Sequence, residues 1–146
     1  MAEKGKKIDQ LRAKVIVFRD YWADEADEVM VSSRFFNLRD EGSSFAEFVS
    51  KINADGGGDE PENALEALAL ALKSKWENAQ DFAKQRQVVV IWTDASAHSL
   101  DKGSKPSHYP QDIPQTLDDL TDFWSDMPKN AKRLLLFAPD TNPWSV

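Results

Sequence analysis

The chain has 146 residues, with 25 acidic side chains against 18 Lys and Arg, a net charge of −7 and no cysteine. A chain of this length builds one hydrophobic core, and a hydrophobic content of 41% with 5 Trp and 8 Phe excludes a disordered polymer. The acidic balance and scattered Lys and Arg argue against a nucleic-acid partner, and the missing cysteines exclude disulfides, zinc–thiolate sites and thiol catalysis.

Met1 to Gln10 is charged and lacks the apolar centre of a signal peptide, and no apolar stretch approaches the roughly 20 residues of a membrane span. The expectation is therefore a soluble, unexported, cytoplasmic chain with no membrane partner. The first apolar run, Val15-Ile16-Val17-Phe18, reads as a buried strand. Arg34 to Leu38 is a weaker, edge-strand candidate, because the turn-prone Arg39-Asp40-Glu41-Gly42 follows it. From Ser43 to Ile52, Phe45, Phe48, Val49 and Ile52 repeat at helical spacing. Leu65, Leu68, Leu72 and Trp76 do so from Pro61 to Trp76. Val88 to Trp92 is a second buried run. Ala95 to Pro114, with Gly103, Pro106, Pro110 and Pro114 inside it, is a long irregular stretch of the kind that is functional or mobile. Leu117, Leu120, Phe123 and Trp124 mark a last helix, and Leu134-Leu135-Leu136-Phe137 a third buried run. The three runs show no polar alternation, as strands covered on both faces do. Strands alternating with helices imply an α/β fold with a doubly wound, mostly parallel sheet in a single domain, residues 1–146.

Each apolar run is followed by a carboxylate: Asp20, Asp94 and Asp140. In an open parallel sheet these positions share the carboxyl edge, where ligands bind. Any one of them alone is accounted for by capping the next turn; converging, they would repel one another unless a cation or donors intervene. The most informative stretch is Gly56-Gly57-Gly58-Asp59-Glu60-Pro61-Glu62-Asn63. Asp59 and Glu62 have capping-box spacing, with Pro61 suited to a first helical turn. Capping does not explain three consecutive glycines among three acids. With no Gly-Lys-Ser/Thr and with carboxylates facing the loop, a phosphate site is excluded, whereas a hard cation with oxygen ligands fits.

The run Gly-Gly-Gly-Asp59-Glu-Pro61-Glu62, followed by Ala64-Leu65 and Ala67-Leu68, resembles the second metal-site motif of von Willebrand factor A domains, in the form found in integrin β subunits and bacterial relatives. Val88 to Trp92 ending in Thr93-Asp94-Ala95 is similar to the third motif of that family, and Phe18-Arg19-Asp20-Tyr21 resembles the end of its second strand. The resemblance implies a Rossmann-like, von Willebrand factor A-like sheet. It also implies a non-enzymatic protein-binding function at the carboxyl edge, through a metal-ion-dependent adhesion site. By the same resemblance Glu62 would bind a divalent ion, Mg²⁺ or else Mn²⁺ or Ca²⁺; Asp94 would hold it through water or hydrogen bonds; and Asp59 would serve a neighbouring cation. A carboxylate from the protein partner would complete the coordination. Asp20, Tyr21, Trp22 and His98 are candidate partner contacts around it, with Tyr21-Trp22 exposed.

The family's first motif, Asp-x-Ser-x-Ser, and the central strand before it have no counterpart here: the close pairs Ser32-Ser33 and Ser43-Ser44 have no Asp at the required spacing. The expectation is a truncated domain lacking its first central strand. Lys14 to Phe18 would then pair directly with Val88 to Trp92 or take a strand from another chain, and homodimerisation would run through unpaired strand edges. Two other readings stay open. One is a Mg²⁺-dependent phosphohydrolase or phosphotransferase using Asp20, Asp94 and Asp140; the other is a degenerate, metal-free scaffold. His98 and His108, ten apart in an irregular segment, read as surface residues.

Overall fold

In the computed structural model, which describes residues 7–53, 60–77 and 84–145, all three apolar runs are strands. They are β2 (Ile16–Phe18), β5 (Gln87–Trp92) and β6 (Lys132–Phe137); β1 (Arg12–Ala13), β3 (Met30–Ser32) and β4 (Phe36–Asn37) are short additions. Three helices complete the order: α1 (Leu38–Ser50) follows β4, α2 (Ala64–Leu72) precedes β5, and α3 (Leu117–Asp126) precedes β6. The class is α/β, as expected. Among the described residues, however, the strands form three separate pairs, and only β5 with β6 is parallel; β2–β3 and β1–β4 are antiparallel.

The expected direct pairing of the Val15–Phe18 run with Val88–Trp92 is therefore not what forms. β2 takes the nearby β3 instead, with Ile16 opposite Ser32 and Phe18 opposite Met30. A hairpin partner lies close in sequence and closes a short loop, whereas β5 lies far along the chain and must be brought in by tertiary packing. Packing supplies the link, since α2 lies against both β2 and β5. Buried along α2 are Ala64, Leu65, Ala67, Ala69 and Leu72, and its Leu65, Ala69 and Leu72 join Val89 and Ile91 of β5 in the main core.

Helix boundaries were set by local chemistry that apolar spacing does not register. α1 begins five residues before the predicted start and takes in Arg39–Gly42, expected as a turn. Asn37 accepts a hydrogen bond from Arg39 N at 3.2 Å, and Glu41 reaches back to accept from Asn37 N at 2.9 Å. That reciprocal capping starts the helix early, and its trace is a kink at Glu41 (φ −119°, ψ 19°). α2 starts late, at Ala64 with Asn63 as its cap residue, so Pro61 and Glu62 lie before the helix, and Glu62 is not at the third helical position that a capping box from Asp59 requires. Asp59 itself, like Gly56–Gly58, is outside the described residues. Trp76 lies beyond the end of α2, its indole donating to Ala71 O at 2.9 Å. α3 has a full capping box, Thr116 with Asp119, each bond at 3.1 Å.

The long irregular stretch is neither strand nor helix, apart from a one-residue bridge at Ala97, yet it is packed. Leu100 is 2% exposed, Ile113 3% and Tyr109 5%, all three in the main core with Tyr21 and Val29. The segment thus supplies a wall of the core that short strands cannot supply. Leu100→Ala is expected to destabilise the protein by about 2–5 kcal/mol, the usual range for a buried Leu cut to Ala. Urea unfolding of the two proteins measures this, and an unchanged midpoint would show that the loop is not part of the cooperative unit.

Candidate functional site

The site is built where Glu62 and Asn63 lead into α2. Asn63 faces the end of β2: its N–H donates to Arg19 O at 3.1 Å and its side-chain oxygen accepts from Tyr21 N at 2.6 Å. Glu62 faces the segment after β5. Its N–H donates to Ser96 O at 2.9 Å, and its carbonyl accepts from His98 N at 2.9 Å, making a short parallel bridge with Ala97. Two neighbouring residues therefore tie together the chain leaving β2 and the chain leaving β5, and so define the carboxyl edge on which Asp20 and Asp94 both lie.

Around Glu62 the charge is one-sided. Burial pushes its carboxyl up from the ordinary 4.5 to about 7, and the carboxylates of Asp20, Asp24 and Asp94 push in the same direction, with Arg19 opposing. One of its carboxylate oxygens is buried with no hydrogen-bond partner. Asp94 is exposed and Asp24 half-buried, whereas Asp20 is 6% exposed. Of the three carboxylates that follow the apolar runs, the structure brings Asp20 and Asp94 to bear on Glu62; Asp140 is exposed and does not act on it.

Asp20 is held by donors. Its Oδ1 accepts from Trp22 N at 2.8 Å and from His98 Nε2 at 3.0 Å, while Asp24 Oδ2 accepts from Asp20 N at 2.9 Å. The other ring nitrogen of His98 lies 3.2 Å from Lys102 Nζ. A lysine only donates, so the network assigns Nδ1 as acceptor and Nε2 as the protonated nitrogen facing Asp20. Lys102 also sits 4.0 Å from the centre of the Trp22 ring, which packs on the His98 ring at 4.7 Å. His98 is thus an internal orienting group, 6% exposed, and not the surface residue expected. Tyr21 is likewise buried, at 4% exposure, which corrects the expectation of an exposed Tyr21-Trp22; Trp22 is half-buried. Asp20, Tyr21 and His98 form a floor beneath the edge. His108 is the exposed histidine, its ring 5.7 Å from that of Tyr21.

Three participants were missed by sequence reasoning. Asn63 does the stitching, and its place immediately before an apolar helix was the available signal. Asp24 lies four residues after Asp20 and braces it. Glu66, one helical turn after Glu62, is fully buried and accepts from Tyr109 O–H at 2.7 Å, leaving its other oxygen without a partner. Burial and Glu66 together raise the Tyr109 phenol far above its usual range, and burial with Glu66 nearby raises Tyr21 to about 12.

Among the described residues, no three His, Asp or Glu side chains form a group able to hold a metal ion. The donor chemistry at Glu62 is nevertheless of the hard, oxygen-only kind that suits Mg²⁺ or Ca²⁺. Fold and site together define an α/β domain with an acidic site at the carboxyl edge of its strands. Residues 36–107 match the family model of the von Willebrand factor A domain. That stretch runs from β4 through α1, the glycine-rich sequence, α2 and β5 to Asp94 and into the long irregular segment, so it contains Glu62 and both its backbone partners. No curated protein and no solved structure matches the chain.

Two outcomes follow from this geometry. Because the folded-state pKa of Glu62 is raised, the folded protein binds its proton more tightly than the unfolded chain does, and Glu62 lowers stability as pH rises from about 4.5 to about 7. Thermal melts in EDTA between pH 5 and pH 8 should show wild type losing stability relative to Glu62→Gln across that window; parallel curves would show that Glu62 is not crowded. Tyr109→Phe removes the phenol's hydrogen bond to the Glu66 carboxylate and should cost about 1–3 kcal/mol in chemical denaturation. Much of that loss should be recovered when Glu66→Met is added, since no carboxylate is then left unpaired beside position 109.

Proposed function

We propose that the chain is a non-enzymatic protein-interaction module that engages its partner at the carboxyl edge centred on Glu62. A divalent cation there would be shared with a carboxylate of the partner. The observation that carries the reading is the state of Glu62: a buried, unpartnered carboxylate oxygen, on a carboxyl that burial first, and three further carboxylates second, push up to about 7. A cation relieves both strains, pairing the orphaned oxygen and reversing the local field. The match of residues 36–107 to the von Willebrand factor A domain, a family whose members are commonly protein-interaction modules, supports the same reading.

In this proposal Glu62 would bind the ion and Asp94 would hold it through water or hydrogen bonds, with Asp59 serving a neighbouring cation. When bound, the ion offers an open coordination position to an acidic side chain of the partner. The chain's own residues do the positioning. Asn63 fixes the backbone of Glu62 against the end of β2, and the Ser96 and His98 backbone fixes it against the segment after β5. His98, held by Lys102, keeps Asp20 pinned beneath the edge. With so few ligands supplied by the chain itself, the ion binds weakly alone, and the partner's carboxylate strengthens it.

Calorimetric titration of Mg²⁺ and Mn²⁺ tests this. Wild type should bind in the millimolar range, more tightly at pH 8 than at pH 6, because protons compete for Glu62. Glu62→Ala should abolish the heat. Absence of binding at about 10 mM ion, a concentration that saturates a site of about 1 mM Kd, would exclude a metal-bridged mechanism; so would equal binding by the variant.

A further inference from the structure

The β5–β6 ribbon is covered on one face only along β5, and its other face is exposed on both strands. Across the parallel ladder Val88 lies opposite Arg133, Val90 opposite Leu135, and Trp92 opposite Phe137. Residues paired in this way point to the same side of the sheet, and the Trp92 and Phe137 rings stack at 4.7 Å with their planes 18° apart. The opposite face carries Val89 and Ile91, at 7% and 6% exposure, beside Leu134 and Leu136 of β6, at 41% and 39%. The outer face carries Val88 at 42%, Val90 at 46%, Trp92 at 74%, Leu135 at 49% and Phe137 at 49%. Five adjoining apolar side chains at such exposure leave on the order of 500 Å² of apolar surface open to water, at the upper end of what isolated monomers show.

We infer that this face is the interface of a homodimer, in which the β5–β6 ribbons of two copies pack face to face. Two considerations select a second copy of this chain. The first is area: two such faces bury about 1,000 Å², and flanking residues bring the total to the lower edge of stable interfaces, about 1,200 Å². The second is the layout of charge, which is self-complementary. Arg133 stands at the amino end of the ribbon, while Asp94 and Asp140 follow the carboxyl ends of its two strands. A two-fold axis through the middle of the face, near Val90 and Leu135, runs the two ribbons antiparallel. It sets the Arg133 guanidinium of one copy beside the stacked Trp92–Phe137 pair and the carboxylates of the other, at both ends of the interface. Sheets packed in this way cross at about 30°, which their twist already provides. The surface differs from the strand edges, because it uses side chains and leaves the backbone edge of β5 free. It does not require a cation at Glu62, although Asp94 borders both surfaces.

Sedimentation velocity on the full chain in EDTA, from about 2 to about 200 μM, brackets the affinity expected of an interface this small. Wild type should pass from monomer to dimer within that range. Val90→Glu should weaken association at least tenfold, and Arg133→Glu should weaken it by a similar factor that shrinks as salt is added. Val49→Glu, an exposed apolar position on α1 away from the ribbon, should leave it unchanged. Circular dichroism checks that each variant is folded, which these exposed sites permit. A wild-type monomer at the highest concentration would overturn the inference and leave the face to a different molecule. A dimer equally tight in Val90→Glu would overturn it in favour of pairing through strand edges.

Discussion

The arrangement depends on one two-residue junction. β2 and β5 are not hydrogen-bonded to each other among the described residues, so nothing in a sheet ladder fixes their relative position. Glu62 and Asn63 do so, one bonded to the segment after β5 and the other to the segment after β2. Because Asn63 also begins α2, the helix is launched from the point where the two strand ends meet, and its apolar side packs on both. The same junction places a carboxylate where those of Asp20, Asp24 and Asp94 act on it. Structural and chemical roles are thus carried by adjacent residues, and the site cannot shift without moving the helix.

That economy has consequences deeper in the core. α2 is buried on nearly all sides, and it carries a glutamate inside. Glu66 is accommodated through Tyr109, contributed by the long segment after β5, which also brings Leu100 and Ile113 into the core and His98 against Asp20. A segment without regular structure therefore does the work of a third layer, covering the helix and orienting the floor of the acidic edge. On the other side of the β5–β6 ribbon no described helix takes the corresponding place, and the apolar residues of that face stay open to water.

Some of this was legible in the residues. The three apolar runs gave three strands, and the periodicities of Phe45–Ile52, Leu65–Leu72 and Leu117–Trp124 gave three helices, because each signal is local and repeats over several residues. Helix starts were less legible: Asn37 with Glu41 began one helix early and Asn63 began another late, through single side-chain bonds that apolar spacing does not encode. The acidic edge was legible as a set of positions, Asp20, Glu62 and Asp94, but not as a hierarchy. Nothing in the sequence distinguishes Asp20, buried and held by His98, from Asp140, exposed and apart.

What the sequence by itself determined is the alternation of strand and helix, the absence of thiol chemistry, and an acidic glycine-rich loop before a helix, all properties of neighbouring residues. Only the tertiary structure decided which strands pair, which face of the β5–β6 ribbon is covered, and which carboxylates press on Glu62. Those depend on contacts between segments tens of residues apart. Their free energies come from burial and from charges brought close in space, and a linear pattern carries neither.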